Sequence, residues 1–304
     1  MNLDSTIDPT EESPLQQSPL QFDFAGASHI GLKRKQNQDH FIVAELKRLL
    51  NVVATDIPLE NCDALYGSEP GHLLVVADGM GGHDEGEIAS RTAVKLCVRY
   101  VLDMMHWFLK LSANNEDDFV DELSACLNAV QSVFREGRTP SDRSLGTTVT
   151  LAYIIAPRMY VIHAGDSRCY LVREEELIQL TTDHTIAQRL LSKNAISAEQ
   201  FTNSRWRHVL WNCVGGGHTA VEPEVVRINL QRGDQLLICS DGLTGMVTDQ
   251  AILATLIGEP SASAAVSSLI EQANLAGGSD NITAVVGRCD RQTTQVQHQL
   301  SGNR

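Results

Sequence analysis

Basic residues are scarce in this chain. Its 304 residues carry 24 Lys and Arg against 38 Asp and Glu, a formal net charge of −14. That deficit argues against sequence-independent binding of nucleic acid, which needs a cationic surface to displace counterions, so no nucleic-acid partner is expected. No apolar run approaches the ~18 residues of a membrane span. Residues 1–21 lack the positive start and apolar centre of a secretory signal. The expectation is a cytoplasmic protein with no membrane partner. Paired cysteines are missing as well. Cys62, Cys97, Cys126, Cys169, Cys213, Cys239 and Cys289 are odd in number, widely spaced and free of any Cys-x-x-Cys. They read as small buried hydrophobes in a reducing compartment. No internal repeat is visible.

What remains is ordinary globular composition, 42% hydrophobic and 20% charged, in a length that allows one large domain or two modest ones. Residues 1–21 are rich in Ser, Pro, Gln, Glu and Asp and are expected to be disordered. Residues 291–304 form a polar tail of the same kind. Residues 44–71 interrupt two strand-like runs and read as a loop insertion. Short β-branched or apolar runs, several bounded by Gly, Pro or Asp, predict strands at 22–27, 40–44, 73–77, 147–155, 159–164, 169–173, 225–229, 235–239 and 282–287. Helical periodicity marks 87–109, 116–135, 185–191 and 261–276. The strands cluster instead of alternating with helices. This predicts an α+β protein of antiparallel sheets with helices on their outer faces, not a doubly wound parallel sheet.

Aspartates sit at the ends of these runs. Val75-Val76-Ala77 leads to Asp78-Gly79, His163-Ala164-Gly165 to Asp166, Ile238-Cys239-Ser240 to Asp241-Gly242, and Gly278-Ser279 to Asp280-Asn281. Asp39 precedes the strand at 40–44. One Asp-Gly is a turn. Repetition suggests more, because carboxylates on rigid strand ends can be held together at little entropic cost. If these converge, their repulsion calls for a cation between them. Oxygen donors without clustered Cys or His favour a hard divalent ion. An EF-hand loop and a zinc site both lack their spacing here. A phosphate cradle at Gly79-Met80-Gly81-Gly82 lacks the Gly-x-Gly-x-x-Gly pattern and is flanked by Asp84, Glu85 and Glu87.

Several strings resemble the type 2C family of metal-dependent protein serine/threonine phosphatases in its bacterial form. They are Gly31-x-x-Arg34-x-x-Asn37-Gln38-Asp39, Val75-Val76-Ala77-Asp78-Gly79-Met80-Gly81-Gly82-His83, Leu145-Gly146-Thr147-Thr148 and His163-Ala164-Gly165-Asp166-Ser167-Arg168. After them come Leu180-Thr181-Thr182-Asp183-His184, Arg207-His208-Val209-Leu210, Cys239-Ser240-Asp241-Gly242-Leu243-Thr244 and Ser279-Asp280-Asn281-Ile282-Thr283. They occur in the family's order over residues 22–290. The resemblance implies a four-layer α-β-β-α sandwich with a two-metal site at one edge and a mobile flap near 185–203.

It also implies hydrolysis of phosphoserine and phosphothreonine by direct attack of a metal-bridging hydroxide, using two or three magnesium or manganese ions. Asp78 would bridge two ions, the Gly79 carbonyl would bind the second, and Asp241 and Asp280 would complete the first. Asp166 with Asp241 matches a third, looser position. Gln38 and Asp39 would hold metal-bound waters, with Asn281 beside them, and Arg34 would clamp the phosphoryl oxygens. Implied partners are phosphorylated proteins and an opposing Ser/Thr kinase, with the chain itself a monomer.

Two departures stand out. Met80 occupies the place of a histidine that serves eukaryotic members as general acid, which leaves leaving-group protonation unassigned. His83 is a candidate acid or substrate contact, and is otherwise structural. Gln38 replaces a common glutamate and contributes no charge. A non-catalytic phosphoprotein-binding regulator with the same fold is the competing reading, and a hydrolase of small phosphoesters is a third.

Overall fold

Residues 73–77 are fully buried, and they belong to one strand with two covered faces. Leu74 and Val76 pack between two sheets, with Ala152, Val161, Leu171, Leu236, Ile238 and Val285. Leu73, Val75 and Ala77 turn the other way, onto helices that supply Ala89, Cys97, Phe119, Leu123 and Leu127. A strand between two apolar layers reads as a continuous apolar run, which is why no alternation marks it.

The computed structural model describes residues 20–47, 49–51, 64–66, 70–81, 84–104, 116–136 and 145–290. Strands β1 (Phe22–His29), β2 (Asp39–Leu46), β3 (Leu49–Asn51), β4 (Ala64–Tyr66) and β5 (Gly71–Met80) come first. Helices α1 (Glu85–Met104) and α2 (Glu116–Glu136) follow. Then come β6 (Gly146–Thr147), β7 (Val149–Ile155), β8 (Arg158–Ala164), β9 (Arg168–Arg173) and β10 (Glu176–Gln179), with short helices α3 (Ile186–Ser192) and α4 (Ala198–Thr202). The described chain closes with β11 (Val214–Gly215), β12 (Glu224–Asn229), β13 (Gln235–Cys239), α5 (Asp241–Thr244), α6 (Asp249–Gly258), α7 (Ala262–Leu275) and β14 (Ile282–Cys289).

One sheet runs β1-β14-β13-β9-β10. The other runs β11-β6-β5-β7-β8-β12, with β2 also paired to β5. Every described pairing in both is antiparallel. Helices α1 and α2 cover the second sheet, and α5, α6 and α7 cover the first through Leu243, Ile252, Leu256, Val266 and Leu269. The layers are therefore α-β-β-α, as the family resemblance implied.

Local signals explain most of the helices. In α2 the apolar residues Phe119, Leu123, Leu127, Val130 and Phe134 recur every three or four positions on the buried side. Its first turn is acidic and Arg135 lies in its last, matching the helix dipole. Ser261 caps α7 by accepting from Ala264 N. The sequence gives no periodic signal for helix α6: Ala251, Ile252, Leu253, Leu256 and Ile257 surround its axis, so no stripe announces it.

The expected strand at 147–155 is interrupted at Thr148. It stays opposite Asp78 and its N–H donates to the Asp78 carbonyl at 2.9 Å, but the Asp78 N–H turns to the Thr148 hydroxyl at 2.9 Å. The six described cysteines are buried free thiols. No helix among the described residues is long and apolar enough to cross a membrane. Residues 1–19, 105–109 and 291–304, and residues 52–63 of the expected insertion, lie outside the described residues.

Candidate metal centre

Antiparallel pairing places Asp39, first residue of β2, directly opposite Asp78 near the end of β5. Asp78 is fixed through its backbone. Its N–H donates to Thr148 Oγ1 at 2.9 Å, and its carbonyl accepts from Thr147 Oγ1 at 2.8 Å. Asp39 is held by the facing sheet: Ser240 Oγ and Thr283 Oγ1 each donate to its Oδ2 at 2.7 Å. Its other oxygen, Oδ1, is buried and has no hydrogen-bond partner. An orphaned carboxylate oxygen in a protein interior is costly and calls for a ligand.

The loops bring further carboxyls to the same place. Burial raises the pKa of Asp78 well above the carboxylate range, and the charges of Asp39, Asp241, Asp166 and Asp280 add to it. Asp39 is pushed up to about 6, mainly by burial and then by Asp241 and Asp280. Burial raises Asp166 and Asp241 as well, Asp166 next through Asp241 and Asp241 next through Asp280. The Asp78 and Asp241 carboxyls are in hydrogen-bond contact. Acids crowded this closely need a shared proton or a cation. The donor set around Asp78 is all oxygen, which suits magnesium or manganese. The five aspartates singled out from the sequence thus converge.

Two glycines permit the approach. A Cβ on Gly79 would lie 2.0 Å from the Gly86 carbonyl oxygen, and one on Gly242 would lie 1.8 Å from that of Asn281. Only hydrogen fits at either position.

Arg34 lies on the rim, half exposed, with Nη2 2.5 Å from Asp280 Oδ2. Asn281 organises the loop that presents it. Its Oδ1 accepts from Gln38 N at 2.8 Å, and its Nδ2 donates to the carbonyls of Ile30 and Gln36 at 2.9 Å each. The Gln38 side chain packs on Gly86, where an added Cβ would meet its Nε2 at 2.6 Å. His83 lies outside the described residues.

Sequence reasoning gave no role to two groups of residues. One is His208, whose Nδ1 is 3.9 Å from Asp241 Oδ2. The other is a buried network behind Asp166. There Gly165 N donates to His184 Nδ1 at 3.2 Å, His184 N donates to Gly165 O at 2.6 Å, and Asn212 Nδ2 lies 2.9 Å from His184 Nδ1. The His163 and His184 rings are 4.8 Å apart. A lone histidine has no period to reveal it, and both groups form only when loops meet.

A sandwich of this layering with a carboxylate cluster at one end defines a class, and the comparisons agree. The chain belongs to the protein phosphatase 2C family, whose profile matches residues 59–276. It is 33% identical over 245 residues to the serine/threonine protein phosphatase PstP of Mycobacterium tuberculosis, covering 80% of this chain and 45% of that protein. It is 31% identical over 223 residues to the serine/threonine phosphatase Stp of Listeria monocytogenes, covering 73% of this chain and 86% of that one. The solved catalytic domain of a PstP phosphatase in complex with two manganese ions superposes with a TM-score of 0.66. It is 29% identical, over 90% of this chain and all of that one. The chain thus spans less than half the length of the mycobacterial relative.

Proposed function

We propose that this chain is a metal-dependent protein serine/threonine phosphatase. The observation that carries the proposal is the convergence of Asp39, Asp78, Asp166, Asp241 and Asp280 beside Arg34. The relatives' activity and the two manganese ions of the solved PstP domain support it. The retained aspartates weigh against a non-catalytic regulator.

Asp78, the Gly79 carbonyl, Asp241 and Asp280 would hold two magnesium or manganese ions, and Asp166 with Asp241 a third. Ions held there would supply charge neutralisation of the phosphoryl dianion and a lowered pKa for water, the chemistry that direct hydrolysis of a phosphoester needs. Asp39 and Gln38 orient water at the centre. Asp39 is suited to this because its Oδ2 is fixed by two hydroxyls while its Oδ1 stays open. Arg34 would turn its planar fork from Asp280 to the phosphoryl oxygens, a bidentate contact that lysine cannot make. Asn281 holds the loop that carries Arg34. Met80 offers no proton, and we assign leaving-group protonation to no residue.

The domain in this reading is 22–290, with 185–203, which holds α3 and α4, as the flap. The substrates are phosphorylated proteins, supplied by an opposing Ser/Thr kinase, and the protein acts as a cytoplasmic monomer. The test is hydrolysis of p-nitrophenyl phosphate and of a phosphothreonine peptide after chelation, with and without manganese. We expect activity only with the metal. Full activity in excess chelator overturns the proposal.

A further inference from the structure

The carboxylates of Asp166 and Asp241 and the imidazole of His208 bring one ligand atom each to within 4.8 Å of the others. The family resemblance implies the carboxylate pair alone. We propose that His208 completes this position as a nitrogen ligand. It would make the outer metal position selective for manganese over magnesium and bind the 205–209 turn to the metal centre. This rests on the phosphatase reading of the same centre.

Three features of the structure carry the proposal. The first is geometric. Atoms bonded to one ion at about 2.1 Å stand roughly 3 Å apart. His208 Nδ1 is now 3.9 Å from Asp241 Oδ2 and all three atoms lie within 4.8 Å, so inward shifts on the order of 1–2 Å close the set. The histidine is free to make it. Its side chain is 71% exposed, and residues 205–209 are all exposed. The base of the turn is anchored, because Ile186 N donates to the Val209 carbonyl at 2.8 Å and Trp211 N to the His184 carbonyl at 3.0 Å.

The second feature is that Asp166 has no hydrogen-bonded cation among the described residues, although the charge of Arg168 reaches it. Arg168, two residues on, spends its guanidinium on Asp183, with Nε–Oδ1 at 2.8 Å and Nη2–Oδ2 at 2.7 Å. Among the described residues no other side chain donates to the Asp166 carboxyl. A half-buried acid beside Asp241, with the adjacent arginine hydrogen-bonded elsewhere, leaves a place for a positive ligand.

The third is donor chemistry. A set made only of oxygens accepts magnesium readily. One imidazole in the set favours a first-row transition ion over magnesium, because such ions, manganese among them, bind nitrogen more strongly than magnesium does. Magnesium gains little from that nitrogen. The outer position should therefore respond to manganese far more than the all-oxygen pair does. Its occupancy would tie His208 to the centre over which a substrate protein must lie, on a turn that α3 holds through the carbonyls of Trp206 and Val209.

The experiment uses the full chain, stripped by chelation and titrated with Mn(II) or Mg(II) in a calorimeter. Electron spin echo spectroscopy of the Mn(II)-loaded protein reads nitrogen coupling. Wild type should show a weaker Mn(II) class beyond the tight ions, with a nitrogen-14 modulation. In His208→Ala and His208→Gln that class should weaken at least about tenfold for Mn(II). It should change less than about twofold for Mg(II), the modulation should vanish and the tight class should stay. The proposal falls if wild type lacks the weaker class or the modulation, or if the variants bind Mn(II) unchanged. It also falls if the variants lose turnover with metal binding intact, because His208 then acts on substrate. If no tight class exists in wild type, the phosphatase reading falls with it.

Discussion

Asp39 and Asp78 stand opposite each other in antiparallel register, and Asp39 keeps one buried oxygen without a partner. Paired acids at this depth oppose folding in the absence of a cation. Side chains from the facing sheet hold Asp39 in place even so. The fold thus positions these acids through its own hydrogen bonds, and their repulsion is a cost that a cation would offset.

Removing one of these charges should have opposite effects on stability and activity. Asp78→Asn relieves repulsion in the metal-free protein, and we expect its melting temperature to rise by several degrees, since about 1 kcal/mol is worth ~2–4 °C in a domain of this size. The same variant should lose the manganese-induced thermal shift and at least ~100-fold of its activity, about 3 kcal/mol of metal-dependent stabilisation. Scanning calorimetry with and without manganese reads both signs. A metal-free Asp78→Asn less stable than wild type contradicts the account.

Manganese should stabilise the protein more at pH 7.5 than at pH 5.5. Asp39 is pushed up to about 6 by burial and its acidic neighbours. A carboxyl raised in the folded state stabilises the metal-free protein below its ordinary pKa. That contribution is lost as pH rises through 6. Above that pH the repulsion is greatest and no proton competes with the ion. The comparison is the melting-temperature gain at saturating manganese at each pH, and equal gains would refute it.

The histidine network behind Asp166 should act in the opposite direction. Burial lowers His163 to about 3 and His184 to about 4. The unfolded chain takes up these protons near pH 6.5, and the folded chain resists until far lower, so stability declines as pH falls from 6.5. Between pH 6.5 and 5 each histidine accounts for roughly 2 kcal/mol. His184→Ala leaves the Gly165 N–H without its acceptor and should cost about 1–3 kcal/mol at pH 7.5. It should also flatten the pH dependence. Urea midpoints at pH 7.5 and 5 test this, and an unchanged slope counts against it.

Two glycines offer a matched pair. Gly242→Ala would thrust a methyl to within 1.8 Å of the Asn281 carbonyl. We expect a loss of at least ~1–3 kcal/mol and weaker manganese binding, because Asp241 and Asn281 are both displaced. Gly258→Ala meets nothing within 4 Å at the end of α6, and should be neutral or stabilise by up to about 1 kcal/mol. Similar behaviour of the two variants in chemical denaturation would show that the crowding at Gly242 is unimportant.

The sequence by itself determined the layers. Apolar runs such as Leu73-Leu74-Val75-Val76-Ala77 and the stripe of α2 state which surfaces must be covered, since burial and periodicity are local properties of the chain. The motif aspartates were legible too, as residues ill suited to the strands they end. Tertiary structure alone decided that these acids meet. It also set the pairing of Asp39 with Asp78, the grip of Ser240 and Thr283 across the sandwich, and the placement of His208 over Asp166 and Asp241. Helix α6 and the break at Thr148 belong with these, one lacking a polar face and the other made where the Asp78 N–H turns to the Thr148 hydroxyl. Each depends on groups far apart in the chain, and contact between distant residues leaves no period in a sequence for local reasoning to find.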